Sequence, residues 1–251
     1  MSGLNRVHLL RKLMLLGCLV LVGCGGCGGD DREAVDALKA LDVSLGLDES
    51  GSVIEVSFSN SRATDADVAH IRKLPKLTTL YIGTEIGDVG MSHLEGLTGL
   101  TFIDCTFNTK ITDKGVAYLA GLVNLEGISL SDTRVTDEGL RHLTGMKKLE
   151  GLHLADTSIT NAGLLHIRGL TKIEILGLST TKVTDAGLVH LAGLTNLTGL
   201  TLATTGITDD GLSHLTPLKK LQGLDVSKTG VTYDGVVKLT KALPRCLIAF
   251  R

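Results

Sequence analysis

The stretch "ITDDGLSHL", Ile207 to Leu215, sets a histidine beside two carboxylates, and near copies occur as "VTDAGLVHL" from Val183, "VTDEGLRHL" from Val135 and "ITDKGVAYL" from Ile111. A reaction needs its reactive group once, whereas a group repeated along a chain has a structural task. The Asp of the phrase recurs as Asp65, Asp88, Asp113, Asp137, Asn161, Asp185 and Asp209, with Tyr233 in the last place, at intervals of 23, 25 and then 24 residues.

Between these positions runs an L-x-x-L-x-L pattern: "LEGISL" from Leu125, "LEGLHL" from Leu149, "IEILGL" from Ile173, "LTGLTL" from Leu197 and "LQGLDV" from Leu221. The frame extends back to "VIEVSF" from Val53, "LTTLYI" from Leu77 and "LTFIDC" from Leu100, and forward to Ile248 and Phe250. Each piece is a short strand whose alternation sends residues such as Leu152 and Leu154 inward and leaves Gly151, His153 and Ala155 outward. Period and pattern together predict an α/β fold, a right-handed leucine-rich repeat solenoid with a parallel β-sheet on the concave face and short helices on the convex face. Strands ~4.8 Å apart make a sheet on the order of 40 Å long.

Within the repeat, the Thr208-Asp209 pair starts a short helix, where either side-chain oxygen can cap free N–H groups. Leu212 and Leu215 form the buried stripe of that helix, and Gly211 is packing space. Thr133, Thr157, Thr181, Thr205 and Thr229 follow the strands in the slot that holds Asn or Cys in other repeat classes, where a polar group ties down loop backbone. Residues 53–251 thus form a repeat domain of about eight 24-residue units plus a terminal strand. Residues 32–52 form an N-terminal cap, with Ala34, Val35, Leu38 and Leu41 at helical spacing and "VSLGLDESGSVIEV" as a hairpin-like lead-in.

The N-terminus carries Arg6, Arg11 and Lys12 ahead of an apolar run from Leu13 to Val22, too short to span a bilayer comfortably and suited to the core of a secretory signal. The following "LVGC", Leu21 to Cys24, resembles the lipobox of bacterial lipoproteins. That resemblance implies a signal peptide over 1–23, lipid on Cys24, a tether over 24–31 and an exported, membrane-anchored protein of the cell envelope. The alternative is a plain signal peptide or an uncleaved anchor. Cys24, Cys27, Cys105 and Cys246 are scattered without metal-ligand spacing, and Cys105 falls in an inward slot as a small core residue.

The phrase "LEGLHLADTSITNAGLLHI", Leu149 to Ile167, resembles the cysteine-containing leucine-rich repeats of F-box proteins, with Thr in place of Cys. It is similar also to the 24-residue repeats of planctomycete-type bacterial lipoproteins, which begin with a cap like "EAVDALKALDVSLGLDESGSVIEVSFS". The likeness covers residues 32 to 251 and implies an interaction role, not a reaction.

Composition agrees. A formal charge of −2 offers no basic stripe for nucleic acid. His70, His93, His142, His166, His190 and His214 recur in one frame where Tyr118 and Lys238 also stand, so they are convex-side spacers, not metal ligands, and no cofactor is implied. The Asp positions are assigned to helix capping, and Lys147-Lys148 and Lys219-Lys220 to solvated loops.

Outward strand positions are mostly small: Gly127, Gly151, Gly199 and Gly223 in the third place, and Ser129, His153, Gly177, Thr201 and Asp225 in the fifth. Large anchors, which usually carry binding energy, cluster at Tyr81, Phe102, Asp104 and Phe107, in the two repeats of irregular length. These four are the candidate partner-binding residues, the competing reading being a cross-strand Tyr81–Phe102 pair that only stabilises the sheet. The terminal "CLIAF" is expected to leave an edge strand open to self-association. The function expected is a non-catalytic interaction module, displayed on the envelope by a lipid anchor, whose partner is another protein or envelope macromolecule. The alternatives are a structural envelope spacer without a partner and an intracellular F-box-like adaptor.

Overall fold

The computed structural model describes residues 29–251, so the proposed signal, Cys24, Cys27 and the first part of the tether lie outside the described residues. Ten strands form one sheet in strict chain order. They are β1 (Ser44–Leu47), β2 (Val53–Ser57), β3 (Thr79–Tyr81), β4 (Phe102–Asp104), β5 (Gly127–Ser129), β6 (Gly151–His153), β7 (Ile175–Gly177), β8 (Gly199–Thr201), β9 (Gly223–Asp225) and β10 (Leu247–Ala249). From β2 to β10 all neighbours are parallel and in constant register, for example Leu152↔Leu176↔Leu200. β1 alone runs antiparallel, forming a hairpin with β2.

Helix α1 (Arg32–Ala40) lies over the first turn of the solenoid and buries Ala34, Val35 and Leu38. Asp31 caps it by accepting from the Ala34 N–H at 2.9 Å, and Asp30 Oδ2 accepts from Val53 N at 2.6 Å, so the chain is fixed to the first parallel strand where it enters the fold. The hairpin turn is held by Asp48, whose Oδ1 accepts from Ser50 N and Ser52 N.

Repetition dictates a single continuous core. Strand residues such as Leu152, Leu154, Leu176 and Leu178 are fully buried, and so are the helix residues that face them, such as Leu164, Leu188 and Leu191. Convex segments are short because a 24-residue period leaves room for one α turn and a tightened end. Asp209–Leu212 is α-helical and continues as a 3₁₀ turn over Ser213–Leu215, which brings Leu212 and Leu215 onto one buried face. Cys105 is fully buried and its thiol is pushed far up by desolvation, as an inert core residue. Phe250 lies half-buried beside Tyr233, with ring centroids 6.3 Å apart, and does not fill its inward slot completely.

The repeated Asp has a different task from the one expected. Thr136, Thr160 and Thr208 are the N-caps, accepting from the N–H two residues on at 3.2–3.4 Å. The carboxylate instead reaches across to the following repeat. Asp137 Oδ1 accepts from Thr160 N at 2.8 Å and Oδ2 from Thr160 Oγ1 at 2.6 Å. Asp88 makes the same pair with Thr112, Asp113 with Thr136, Asp185 with Thr208 and Asp209 with Thr232. Asp65 accepts from Gly87 N, where no hydroxyl is present. Asn161 preserves the geometry in reverse: its Oδ1 accepts from Thr184 N and its Nδ2 donates to Thr184 Oγ1, which then makes no cap bond.

The glycine of the phrase belongs to this clasp. At Gly139 a Cβ would lie 2.6 Å from Asp113 Oδ1, and at Gly163, Gly187, Gly211 and Gly235 it would collide with the Asp or Asn of the preceding repeat. Lysines assigned to solvated loops also link repeats. Lys148 Nζ donates to Asn124 Oδ1 at 2.8 Å and Lys220 Nζ to Asn196 Oδ1 at 2.7 Å, while the two amides donate to Thr98 O and Thr171 O.

Three outcomes are expected. Leu200, 1% exposed, should cost about 2–5 kcal/mol on truncation to Ala, whereas His190→Ala, at a half-buried convex position, should be nearly neutral in the same urea melts. Gly163→Ala should destabilise although Ala is the better helix former by about 1 kcal/mol, and combining it with Asp137→Ala should cost less than the sum, because the second change removes the obstructing carboxylate. Acid should weaken the clasps. Thr232 Oγ1–H first, then its N–H, holds the Asp209 carboxyl below the usual range. A depressed folded pKa gives stability that is present above the unfolded value of ~3.9 and is lost as pH falls through the folded value, so melting curves of Asp209→Asn should show a smaller loss between pH 5 and 2 than the parent protein.

Candidate interaction surface

Constant register places equivalent outward residues in rows across the concave face. One row runs Thr79, Phe102, Gly127, Gly151, Ile175, Gly199, Gly223 and the next Tyr81, Asp104, Ser129, His153, Gly177, Thr201, Asp225. Tyr81 and Phe102 are diagonal neighbours with ring centroids 5.7 Å apart at an interplanar angle of 56°. Both are half-buried.

The glycines of this face are not merely small. A Cβ on Gly127 would sit 2.7 Å from Phe102 Cδ2, one on Gly177 3.0 Å from His153 Nδ1, and one on Gly199 2.9 Å from Ile175 Cδ1. Phe102, His153 and Ile175 thus each lie over the glycine of the next repeat. Gly127, Gly151 and Ser129 are buried, where alternation alone placed them outside. Gly151 is the exception in detail, since a Cβ there meets nothing within 4 Å.

Asp104 is held by its own loop: Oδ1 accepts from Thr106 N at 2.8 Å and from Thr106 Oγ1 at 2.5 Å, and Thr106 Oγ1 lies 2.7 Å from Ser129 Oγ. His153, one strand further on, has its Nε2 buried and without a hydrogen-bond partner among the described residues. Burial pushes its pKa down, against a smaller upward pull from the Asp104 charge, so the ring is neutral at pH 7. Phe107 is 69% exposed and holds a left-handed backbone at φ 64°, uncommon for a bulky residue. Its N–H donates to Ser131 O at 3.1 Å. Asp132, Asp156, Thr180, Thr204 and Lys228 share that conformation in later loops, each at φ 56–58°.

Tyr81, Phe102 and Asp104 thus share the sheet face, while Phe107 stands on the loop after β4. Asn108 was missed by sequence reasoning. It is fully buried beside Phe107, and its Nδ2 donates to Gly83 O at 2.8 Å and Ile86 O at 2.7 Å. The preceding loop is the one shortened to a 23-residue interval, and Gly83 is pressed against Phe58 O there. Asn108 thus ties the shortened loop to the next one, adding a bond to Gly83 O, which also accepts from Ile86 N at 3.1 Å. The signal was an Asn three residues after the strand's last inward residue, Cys105, the place occupied elsewhere by Thr133 or Thr157, whose hydroxyls donate to Leu130 O and Leu154 O.

The histidines of the convex frame are all half-buried, at intervals set by the repeat. No helix among the described residues is long and apolar enough to cross a membrane.

No protein-family model matches the chain. No curated protein matches it either. Among solved structures it is similar to internalin C2 of Listeria monocytogenes, with 24% identity, a TM-score of 0.68 and coverage of 88% of this chain and 93% of that one. It is similar also to an internalin (inlF) of the same organism, with 20% identity, a TM-score of 0.53 and coverage of 74% and 66%. With the ten-stranded sheet and its alternating short helices, these likenesses make the fold of this chain that of a leucine-rich repeat solenoid.

Proposed function

We propose that this chain is an exported, lipid-anchored interaction protein that binds another macromolecule through the N-terminal third of its concave face and catalyses no reaction. The observation that carries the binding site is the Tyr81–Phe102 pair, with an exposed Phe107 on the loop after β4, on a face whose other outward residues are mostly glycine or small polar groups. Aromatic side chains on a surface give burial energy to a partner. The likeness to internalins concerns the fold; the interaction reading rests on the face itself.

A non-catalytic role is supported by where the polar groups go. Every carboxylate of the recurrent phrase from Asp65 to Asp209 accepts from the following repeat, and the recurrent hydroxyls are bonded to the same carboxylates. Export and anchoring are supported by the basic residues, short apolar run and "LVGC" of the N-terminus, and the repeats' resemblance to planctomycete-type lipoproteins points the same way. An F-box-like adaptor would work inside the cell, which that N-terminus opposes.

Radiolabelled fatty acid should enter the wild-type chain and not Cys24→Ser; continued labelling of the variant would place the lipid elsewhere. For the site, Tyr81→Ala/Phe102→Ala is compared with the parent by capture from solubilised envelope and by melting on the same sample. Lost capture with a melting midpoint near the parent's is expected. Lowered stability with unchanged capture would make the rings a cross-strand pair worth ~0.2–1 kcal/mol and no more. A spacer without a partner would enrich nothing stoichiometrically in the parent either.

A further inference from the structure

We infer that two copies of this chain join through β10, edge to edge and antiparallel, about a two-fold axis that passes between their Ile248 residues. The two ends of the solenoid are finished differently. At the first, α1 covers the core and turns Arg32, Glu33, Asp36 and Lys39 to solvent, and β1 is bulged between Gly46 and Leu47, both devices that discourage further stacking. At the other, β10 has a strand neighbour on one side alone among the described residues. Ile248 and Phe250 occupy the inward slots there and are half-buried, whereas their equivalents Leu224 and Val226 are 3% and 0% exposed.

This end is not built to take another repeat of the same kind. The Asp of each earlier convex turn, or Asn161, accepts from the repeat that follows, as Asp209 does from Thr232, but Tyr233 stands in that place in the last turn. Its side chain is 67% exposed and lies beside Phe250. The clasp thus lacks its acceptor where a further repeat would need it.

The free edge of β10 is complementary to itself. In β9 the groups that reach β10 are Gln222 O, which accepts from Leu247 N at 2.8 Å, and Val226 N, which donates to Ala249 O at 2.8 Å, with Leu224 between them. One repeat on, the same backbone positions are Cys246 O, Ile248 and Phe250 N–H, and they face away from β9. Residues opposite each other in a hydrogen-bonded antiparallel pair exchange both bonds. With Ile248 of one copy facing Ile248 of the other, each N–H donates to the other C=O, and each Phe250 N–H donates to Cys246 O of the other copy. The donor this pairing does not use, Cys246 N–H, is already given to Leu243 O at 3.0 Å. An axis normal to the sheet keeps inward residues inward, so the two half-covered core ends cover each other. It also leaves both concave faces on one side, and the dimer would present the proposed interaction surface twice; that consequence alone rests on the reading of the face.

Charge separates this register from its rival. Here Arg251 of one copy lies opposite Arg245 of the other, and like charges directly opposite weaken a pair. Joining β10 head to tail with β1 of a second copy, centred on Leu45, would instead set Arg245 and Arg251 against Asp48 and Asp42, carboxylates already paired with Lys76 and Arg62.

Sedimentation of the full chain in density-matched detergent, over a range of protein concentration, is the test. A monomer–dimer equilibrium that stops at the dimer and tightens as salt rises from about 50 to about 500 mM is expected. Arg251→Glu should tighten it roughly threefold or more, because two opposed arginine pairs become arginine–glutamate pairs. Ile248→Pro removes an outward N–H from each copy and none of the bonds to β9, and should weaken dimerisation at least about tenfold. Leu247→Cys/Ala249→Cys, which faces each new thiol with one across the axis, should oxidise to a covalent dimer beyond the parent's background, and Leu247→Cys alone should not. Melting of each variant verifies the fold, and if Ile248→Pro unfolds, the charge and cysteine variants decide. A monomer at every concentration, open-ended assembly weakened by Arg251→Glu, or a dimer in which the cysteine pair does not cross-link would each overturn the inference.

Discussion

The structure depends on a clasp made from one carboxylate, one threonine and the absence of one methyl group. The Asp at the start of each convex turn accepts both the N–H and the hydroxyl of the Thr one repeat later, at 2.7–2.8 Å and 2.6–2.7 Å respectively for the five Asp–Thr pairs. The next repeat's glycine leaves the space the carboxylate occupies. A single repeat has no interior of its own, so leucines alone would let neighbouring turns slide or splay. Directional bonds between identical positions set the stagger on the convex side, as the constant strand register does on the concave side.

Committing the polar groups in this way ties most of the recurrent Asp and Thr side chains into the solenoid itself. The hydroxyls of Thr112, Thr136, Thr160, Thr208 and Thr232 donate to a carboxylate and also accept the cap N–H, while that of Thr184 accepts from the Asn161 amide, so their hydrogen-bonding capacity is used within the solenoid. The Lys–Asn–carbonyl links between the convex turn and the next strand act alike on the opposite edge. On the concave face, large residues lie on the glycines beyond them, as Phe102 does on Gly127.

The irregular repeats show how the solenoid absorbs a change of length. Where one loop is a residue short, the buried amide of Asn108 from the following loop bonds its carbonyls at Gly83 and Ile86. That following loop is a residue long, as the 25-residue interval records. Deletion and insertion thus compensate each other in adjacent turns, and Phe107 on the longer loop projects into solvent.

Much of the architecture was legible because repetition averages out the ambiguity of any single segment. One "LEGLHL" could belong to a helix or a strand; five in the same frame could only be stacked strands, and the inward positions of Leu152 and Leu154 followed from the pleat. The candidate aromatics could likewise be picked out as large residues at outward positions. Partnership could not be read in this way. Whether Asp209 caps its own helix or clasps the next depends on a distance between residues 23 apart in the chain, which local spacing does not encode. That Gly127 makes room for Phe102 and that Ser129 is buried follow from the register between strands. The period alone determined that the chain would stack. Only the stacked structure decided which side chains meet, because every such contact in a solenoid is made across repeats.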